Sequence, residues 1–403
     1  MTAELTAVAS TDPLAHPAFL EALALAAKHA DEVDQSARFP SETIEALRGA
    51  GAMSWLAPRE YGGAGLSIEE VAEGIFELSR RCSASGMILA MHQIQVACIV
   101  RHGTHALWFS NYLKRLVREQ RLIASATSEA GTGGDIRRSI AAIQAETIQA
   151  ENETPASRMH FEKKATTISY GAHADDLLTT MRRGPNAEAG DQILVLTHIA
   201  DMTMKQTDKW DTLGMRGTCS PGFEIRAACQ PDQILPAAFA QVAAETMVPF
   251  SHVLWSHVWL GLSTDAFDRA HSFVRGQARN TPGITPPSAT RLAELSAHMA
   301  KFRATVQSAL EDYSDLVRRS ERAVLSTVGY ALRINELKIA ASEAAVEACQ
   351  MALRVCGVPG YKNGGPFSIG RALRDAHSAA LMIANDRLYA TNASLLLVHR
   401  GVK

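Results

Sequence analysis

The sequence carries no excess of charge of either sign: 40 Lys and Arg stand against 42 Asp and Glu, a formal net charge of -2. That excludes the broad basic field that holds nucleic acid or an anionic membrane surface at many points, so any phosphate must be held locally. Cysteine is sparse and scattered. Cys82, Cys98, Cys219, Cys229, Cys349 and Cys356 form no CxxC pair and no short-range framework, which argues against a disulfide scaffold and for a reducing, cytoplasmic setting. No run reaches the ~18 apolar residues of a membrane-spanning helix, and the first residues lack the basic stretch and apolar run of an export signal. His252 and His257 stand without an HExxH pattern, so no metal site is expected. What remains is 403 residues, 47% hydrophobic and 20% charged, enough for two or three domains with large cores.

Three textures follow one another. From Pro17 to about Val117, apolar residues recur at three and four spacing, as in SETIEALRGAGA and SIEEVAEGIFELSRRC, with Ser41 and Ser67 placed to cap helices and acids just behind them. From about Arg121 to Pro231, short segments such as RLIASAT, DLLTTMR, QILVLTHI and GFEIRAAC read as strands. Asn152, Pro155, Gly184, Pro185 and Gly190 supply turns between them. From about Pro236 onward four long helical tracts follow, broken at Pro282 to Pro287 and at GVPGYKNGGP, the pattern of an antiparallel four-helix bundle. The fold class is therefore multidomain α+β: an N-terminal helical domain over 1–118, a β-barrel-like middle domain over 119–233 and a C-terminal four-helix bundle over 234–403.

Several motifs fit that order. ATSEAGTGGD, Ala126 to Asp135, is a glycine-rich loop in which Gly131, Gly133 and Gly134 let backbone amides approach an anion and Ser128 offers a hydroxyl. TTISYGAHADD, WDTLGMRGTCS and RVCGVPGY follow at Thr167, Trp210 and Arg354. Together these resemble the acyl-CoA dehydrogenase superfamily, from about Phe39 to Gly401. The resemblance implies an FAD-dependent oxidoreductase that forms a homodimer or homotetramer. It places Ser128, Gly133 and Gly134 on the flavin and its phosphates, and Thr167 and Ser169 beside the flavin ring. Arg279, Arg354 and Gly357 fall on positions that reach a partner subunit's FAD. Gly134 replaces a serine that in the family often bonds the flavin phosphate, and Thr167 replaces an aromatic residue. Arg216 is assigned a structural role at a domain junction.

The family's dehydrogenation chemistry needs a carboxylate to take the proton alpha to the thioester. The family's R-D-A segment reads RDAHSAALMIAND here, which puts Ile383 on the glutamate position. Registering the first bundle helix on Gly261 and Leu262 puts Ser251 on the alternative base position and His252 on the neighbouring arginine. Four groups are left for proton chemistry. His252 is either a donor or proton-transfer group in the substrate pocket or a hydrogen-bonded histidine between bundle helices. His92, with Gln93 beside it, falls on a pocket-lining helix in relatives and is the second candidate. His377 is expected at a domain junction, and Asp386 in a solvated ion pair with Arg387.

A pocket of neutral hydrogen-bonding groups without a base resembles the oxygenase branch of the superfamily. The leading expectation is an oxygenase or oxidase that uses O2 on a small or cyclic substrate, free or CoA-bound. Two alternatives stand beside it: an acyl-CoA dehydrogenase with an unusual base that passes electrons to an electron-transfer flavoprotein, and a non-catalytic flavin- or CoA-binding protein. Neither nucleic acid nor a membrane is expected as a partner.

Overall fold

The computed structural model describes residues 13–148 and 156–399. Asn152, Pro155 and residues 1–12 lie outside them. Five helices open the chain: α1 (Pro17–Ser36), α2 (Ser41–Gly49), α3 (Ile68–Arg81), α4 (Ser83–His102) and α5 (Leu107–Glu119). Helix α3 has both ends written into its sequence. The Ser67 hydroxyl accepts the Glu70 amide at 3.2 Å while the Glu70 carboxylate accepts the Ser67 amide at 2.7 Å. Acids fill the first turn and Arg80 and Arg81 the last, matching the helix dipole. Ser41 does not cap α2; Pro40 takes that position and no side chain bonds the first turn. Helix α4 is long and apolar enough to cross a membrane, contrary to the expectation that no segment is, but it is buried almost all round inside the protein. Such a helix is the spine of a large core.

The middle domain consists of two sheets. One has the order β1-β4-β5, with β1 (Ile123–Ala126) parallel to β4 (Asp176–Arg182) and β5 (Gln192–His198) antiparallel to β4. The other is antiparallel in the order β2-β3-β7-β6, from β2 (Gln144–Ile148), β3 (Ala156–Ala165), β6 (Met202–Gln206) and β7 (Phe223–Cys229). Strands β4 and β5 are buried on both faces, whereas β7 alternates buried and open positions. Lys163 on β3 crosses between the sheets to the Thr180 carbonyl at 2.7 Å. Arg216 ties the domain to α1, donating to the Asp34 carbonyl at 2.7 Å and to Asp211, the structural role expected of it.

The C-terminal domain begins with α6 (Phe239–Val242), a π-helical turn over Ala243–Met247, and the 33-residue α7 (Val248–Asn280). Then come α8 (Ser288–Arg318), α9 (Arg322–Leu325), α10 (Val328–Cys356), α11 (Val358–Tyr361), α12 (Gly370–His377) and α13 (Asn385–Leu396). Helices α7, α8 and α10 pack on one another, and α7 also packs on α3, so closely at Gly261 that an added Cβ would lie 2.6 Å from the Phe76 carbonyl oxygen. Trp259 on α7, with Lys338 Nζ of α10 5.9 Å from its ring centroid, is fully buried, a burial that stabilises by roughly 3 kcal/mol. The fourth tract is not one helix. It breaks between α12 and α13 at a turn whose last-but-one residue, Ile383, has φ 49°.

Candidate active site

The three domains meet around two adjoining chambers. The first, about 140 Å³, lies between α4, the ends of β1 and β3, and the start of α7; its walls include Gln95, Ser125, Ser128, Ser169, Ser251 and Ile383. The second, about 350 Å³, lies between α7, α10, α13 and the segment Gly134 to Arg137, and His252 is in its wall. Ile136, Val248 and Ile383 line both, forming an aliphatic threshold between them. Among the described residues no Asp or Glu lines the first chamber. In the second the sole acid is Asp135, already paired with Arg137 at 2.9 Å, which holds its carboxyl below the usual range.

Hydrogen bonds between loops fix the first chamber. The Ser128 hydroxyl donates to the Thr167 carbonyl at 2.7 Å and accepts the Thr167 amide at 3.1 Å, locking the two post-strand segments together. Behind Ser169, Thr218 Oγ1 donates to the Met215 carbonyl at 2.8 Å and lies 2.9 Å from Ser220 Oγ, which donates to Ser169 Oγ at 2.9 Å. The Ser220 hydroxyl has a second acceptor in the Thr218 carbonyl at 3.4 Å, so the chain holds the Ser169 hydroxyl at the chamber wall as a group that can donate or accept. Ser251 has no such freedom. Its proton goes to the Met247 carbonyl at 2.6 Å, so it offers only lone pairs.

Gly131, Gly133 and Gly134 all have positive φ, at 88°, 61° and 79°, and their amides donate to no acceptor among the described residues. Glu129, which the sequence reading passed over, pins this loop from behind. Its buried carboxylate accepts Ser139 Oγ at 2.6 Å and the Ile140 and Ala141 amides at 3.2 and 2.6 Å, with Lys163 Nζ at 3.6 Å. An acid two residues before the first glycine of the loop was the available signal. Burial pushes the Lys163 ammonium down to about 8.

Ile383 sits in the left-handed region, which a β-branched residue seldom adopts. The turn is held by Lys338 on α10, fully buried, whose Nζ donates to the Ile383 carbonyl at 2.9 Å and to Asn385 Oδ1 at 2.6 Å. Burial pushes its ammonium down to about 8. Lys338 too was missed from the sequence, because nothing local ties position 338 to 383.

The candidate histidines separate cleanly. His252 Nδ1 lies 2.9 Å from the Ile334 carbonyl, which can only accept, so the proton is on Nδ1 and Nε2 carries a lone pair. Nε2 is buried without a partner. Burial, aided by the charge of Lys338, pushes its pKa down to about 4. The ring thus bonds α7 to α10, as in the second of the two readings, while its free Nε2 is an acceptor on a residue of the second chamber's wall. His92 does not line either chamber. Its Nε2 donates to the Met53 carbonyl at 2.8 Å and its Nδ1 accepts the Ile123 amide at 3.0 Å, so both nitrogens are spent, one joining α4 to the turn at Met53 and the other joining it to β1. Gln93 likewise bonds the Ala52 carbonyl at 2.7 Å. His377 is exposed at the end of α12 and not packed at a junction. Asp386 is exposed, and Arg387 turns away from it to the Gly133 carbonyl, so the expected ion pair is absent. Arg279, Arg354 and Gly357 are exposed on the bundle, outside both chambers.

A helical domain, a pair of small sheets and a helical bundle closing on a hydroxyl-lined chamber with a glycine loop at its rim define an acyl-CoA dehydrogenase-fold flavoprotein. Models described as "Acyl-CoA dehydrogenase, N-terminal domain" and "Acyl-CoA dehydrogenase, C-terminal domain" match residues 19–120 and 253–387, together more than half the chain. The chain belongs to the acyl-CoA dehydrogenase superfamily, whose members with these similarities are enzymes. It is similar to 3-sulfinopropanoyl-CoA desulfinase of Paraburkholderia xenovorans, 26% identical with 88% of this chain and 87% of that protein covered. It is similar to dibenzothiophene monooxygenase of Mycolicibacterium goodii, 26% identical with 82% and 81% covered. In fold it is similar to FMN-bound TdsC from Paenibacillus sp. A11-2, with TM-score 0.79, 21% identity and 96% and 98% of the two chains covered.

The residues present fit a flavin. The Ser169 hydroxyl and the Ser128–Thr167 clasp suit the polar edge of its ring, and the free amides of the Gly131–Gly134 loop form a cradle for a phosphate.

Proposed function

We propose that this protein is a flavin-dependent oxygenase or oxidase that uses O2 on a small, uncharged, largely apolar substrate seated across the Ile383 threshold. When bound, the flavin supplies the redox chemistry, including reaction with O2. The chain's own part is positioning. Ser128, Thr167 and Ser169 hold the ring, with Gly133 and Gly134 toward its phosphate. Ser251 and His252 present acceptors to the substrate, and Trp255 and Ile383 keep water out. The observation that carries this reading is the absence, among the described residues, of any carboxylate in the first chamber, with Ile383 where relatives are expected to place theirs. His252 is a poor replacement base, since a nitrogen that takes a proton near pH 4 has little driving force to abstract one from carbon at pH 7.

FAD is the expected form of the cofactor, held in part by a second copy of the chain. The exposed Val358 and Tyr361 beside Gly357 suit such an interface in a homodimer or tetramer. We place the protein in the cytoplasm on its free cysteines, five of the six being buried thiols. The test is product analysis under isotopically labelled O2 with a panel of uncharged cyclic compounds and acyl-CoAs, run both without a reductant and with an external two-electron donor that reduces the flavin, since an oxygenase puts one oxygen atom in the product and needs two electrons to carry the other to water. Label in the product marks an oxygenase, and peroxide equal to substrate consumed marks an oxidase. Formation of an enoyl-CoA without oxygen uptake would overturn the proposal in favour of a dehydrogenase.

A further inference from the structure

Position 134 of the Gly131–Gly134 loop carries no hydroxyl and the Thr132 hydroxyl is spent on the Glu129 carbonyl at 3.0 Å, yet the loop does not lack a cation. Arg387, in the first turn of α13, reaches back across the mouth of the second chamber and donates to the Gly133 carbonyl. A Cβ built on Gly134 would come within 3.1 Å of both terminal guanidinium nitrogens, so the space of a serine side chain is taken by the arginine. Arg387 has no carboxylate partner among the described salt bridges. The nearest acid on the loop, Asp135, is held by Arg137 through Nε at 2.9 Å and a terminal nitrogen at 3.3 Å. The amides of Gly131, Gly133 and Gly134, without an acceptor among the described residues, thus belong to the loop on which the Arg387 guanidinium rests; Gly134 and Arg387 line the same chamber, and the guanidinium's charge helps lower the Asp135 carboxyl. A flat, fixed fork of N–H donors beside a nest of amides matches the oxygens of a phosphate better than those of any neutral group.

We propose that Arg387, acting with the amides of Gly133 and Gly134, holds the flavin's phosphate in place of the missing serine hydroxyl. The proposal rests on the flavin reading above. It makes the first turn of α13 part of the cofactor site, so that phosphate binding and the placement of Ile383, four residues earlier in the same segment, are mechanically linked. Gly134 is then required to stay small, because a larger residue would displace the guanidinium.

The test compares FMN with riboflavin, which has the same ring and no phosphate, by titrating the purified full-length protein stripped of flavin and following flavin fluorescence. Wild type is expected to bind FMN at least 10-fold more tightly than riboflavin. Arg387→Gln is expected to weaken FMN by roughly 10-fold to 100-fold, the range for losing charge-assisted hydrogen bonds, while changing riboflavin by less than about 3-fold. Arg387→Lys should recover part of the loss, because it restores charge without the fork. The side chain is only partly buried, so an unchanged melting temperature is expected for both variants. If Arg387→Gln weakens both flavins equally, or leaves FMN unchanged, the phosphate role is overturned while the flavin reading stands. If folded wild type binds neither flavin, that reading falls and this proposal with it.

Discussion

Replacing His252 by leucine removes one nitrogen that is bonded and one that is not, and the two should be felt in different measurements. Nδ1 gives up a single hydrogen bond to the Ile334 carbonyl, worth about 1 kcal/mol net, and the unpaired Nε2 is removed at the same time. Stability at pH 7.5 should therefore change by no more than about 2 kcal/mol. If Nε2 accepts a donor from the substrate, its loss leaves that donor unpaired, at about 1–3 kcal/mol, or roughly 5-fold to 150-fold in kcat/KM. Acid separates the readings further. The folded pKa of about 4 lies below the ordinary 6.5, so the unfolded chain binds the extra proton between those values and stability falls as pH drops from 6.5 to 4. The window is worth about 3 kcal/mol at most for this group. His252→Leu should flatten that part of the stability curve, and wild-type turnover should persist with neutral His252 well below pH 6.5. Melting temperatures from pH 4 to 8 and turnover per bound flavin give both quantities. Unchanged kcat/KM with a large loss of stability would refute the substrate role and leave His252 as a strut between α7 and α10.

Three further outcomes follow from the same geometry. Ile383→Glu should place a carboxylate in the first chamber and bring α,β-dehydrogenation of a simple acyl-CoA, followed by dye reduction; a folded, flavin-loaded variant with no such activity would contradict the assigned register. Glu129→Gln should strand the buried Lys163 cation and loosen the glycine loop, costing about 3–5 kcal/mol in urea unfolding together with weaker flavin retention. Lys338→Met should release the Ile383 carbonyl and lower stability at neutral pH. With a folded pKa near 8 against an ordinary 10.5, wild type should gain stability from this group as pH rises between those values, and the variant should not.

The parts of the molecule that were legible in the sequence are those set by local pattern. The Ser67–Glu70 capping box, the alternation of β7 and the apolar stripe of α3 each read directly as structure. The glycine loop read as a place where backbone meets an anion, and its three positive φ values are what those glycines permit. What was not legible depends on distant partners. The break before α13 has neither Pro nor Gly; SAALMIA continues a helical pattern, and the left-handed turn at Ile383 is held by the buried Lys338 on α10 together with the Asn385 amide on the Ala380 carbonyl. His92 stood on the right helix, yet the Met53 carbonyl and the Ile123 amide that consume its ring come from other segments. Arg387 looked paired with its neighbour Asp386 because adjacent charges suggest it, whereas three-dimensional reach carries it to Gly133. Even the protonated nitrogen of His252, which decides between donor and acceptor, is set by a carbonyl on another helix.

We expect this site, whose first chamber has no carboxylate among the described residues, to direct a reduced flavin to O2. This expectation is tested most directly by loading the protein with flavin, reducing it without air, and mixing it in a rapid-mixing spectrophotometer with either oxygenated buffer or an anaerobic electron-transfer flavoprotein. The flavin absorbance is expected to return rapidly with oxygen and not with the flavoprotein. Rapid reoxidation by the flavoprotein, with slow reoxidation in air, would contradict it.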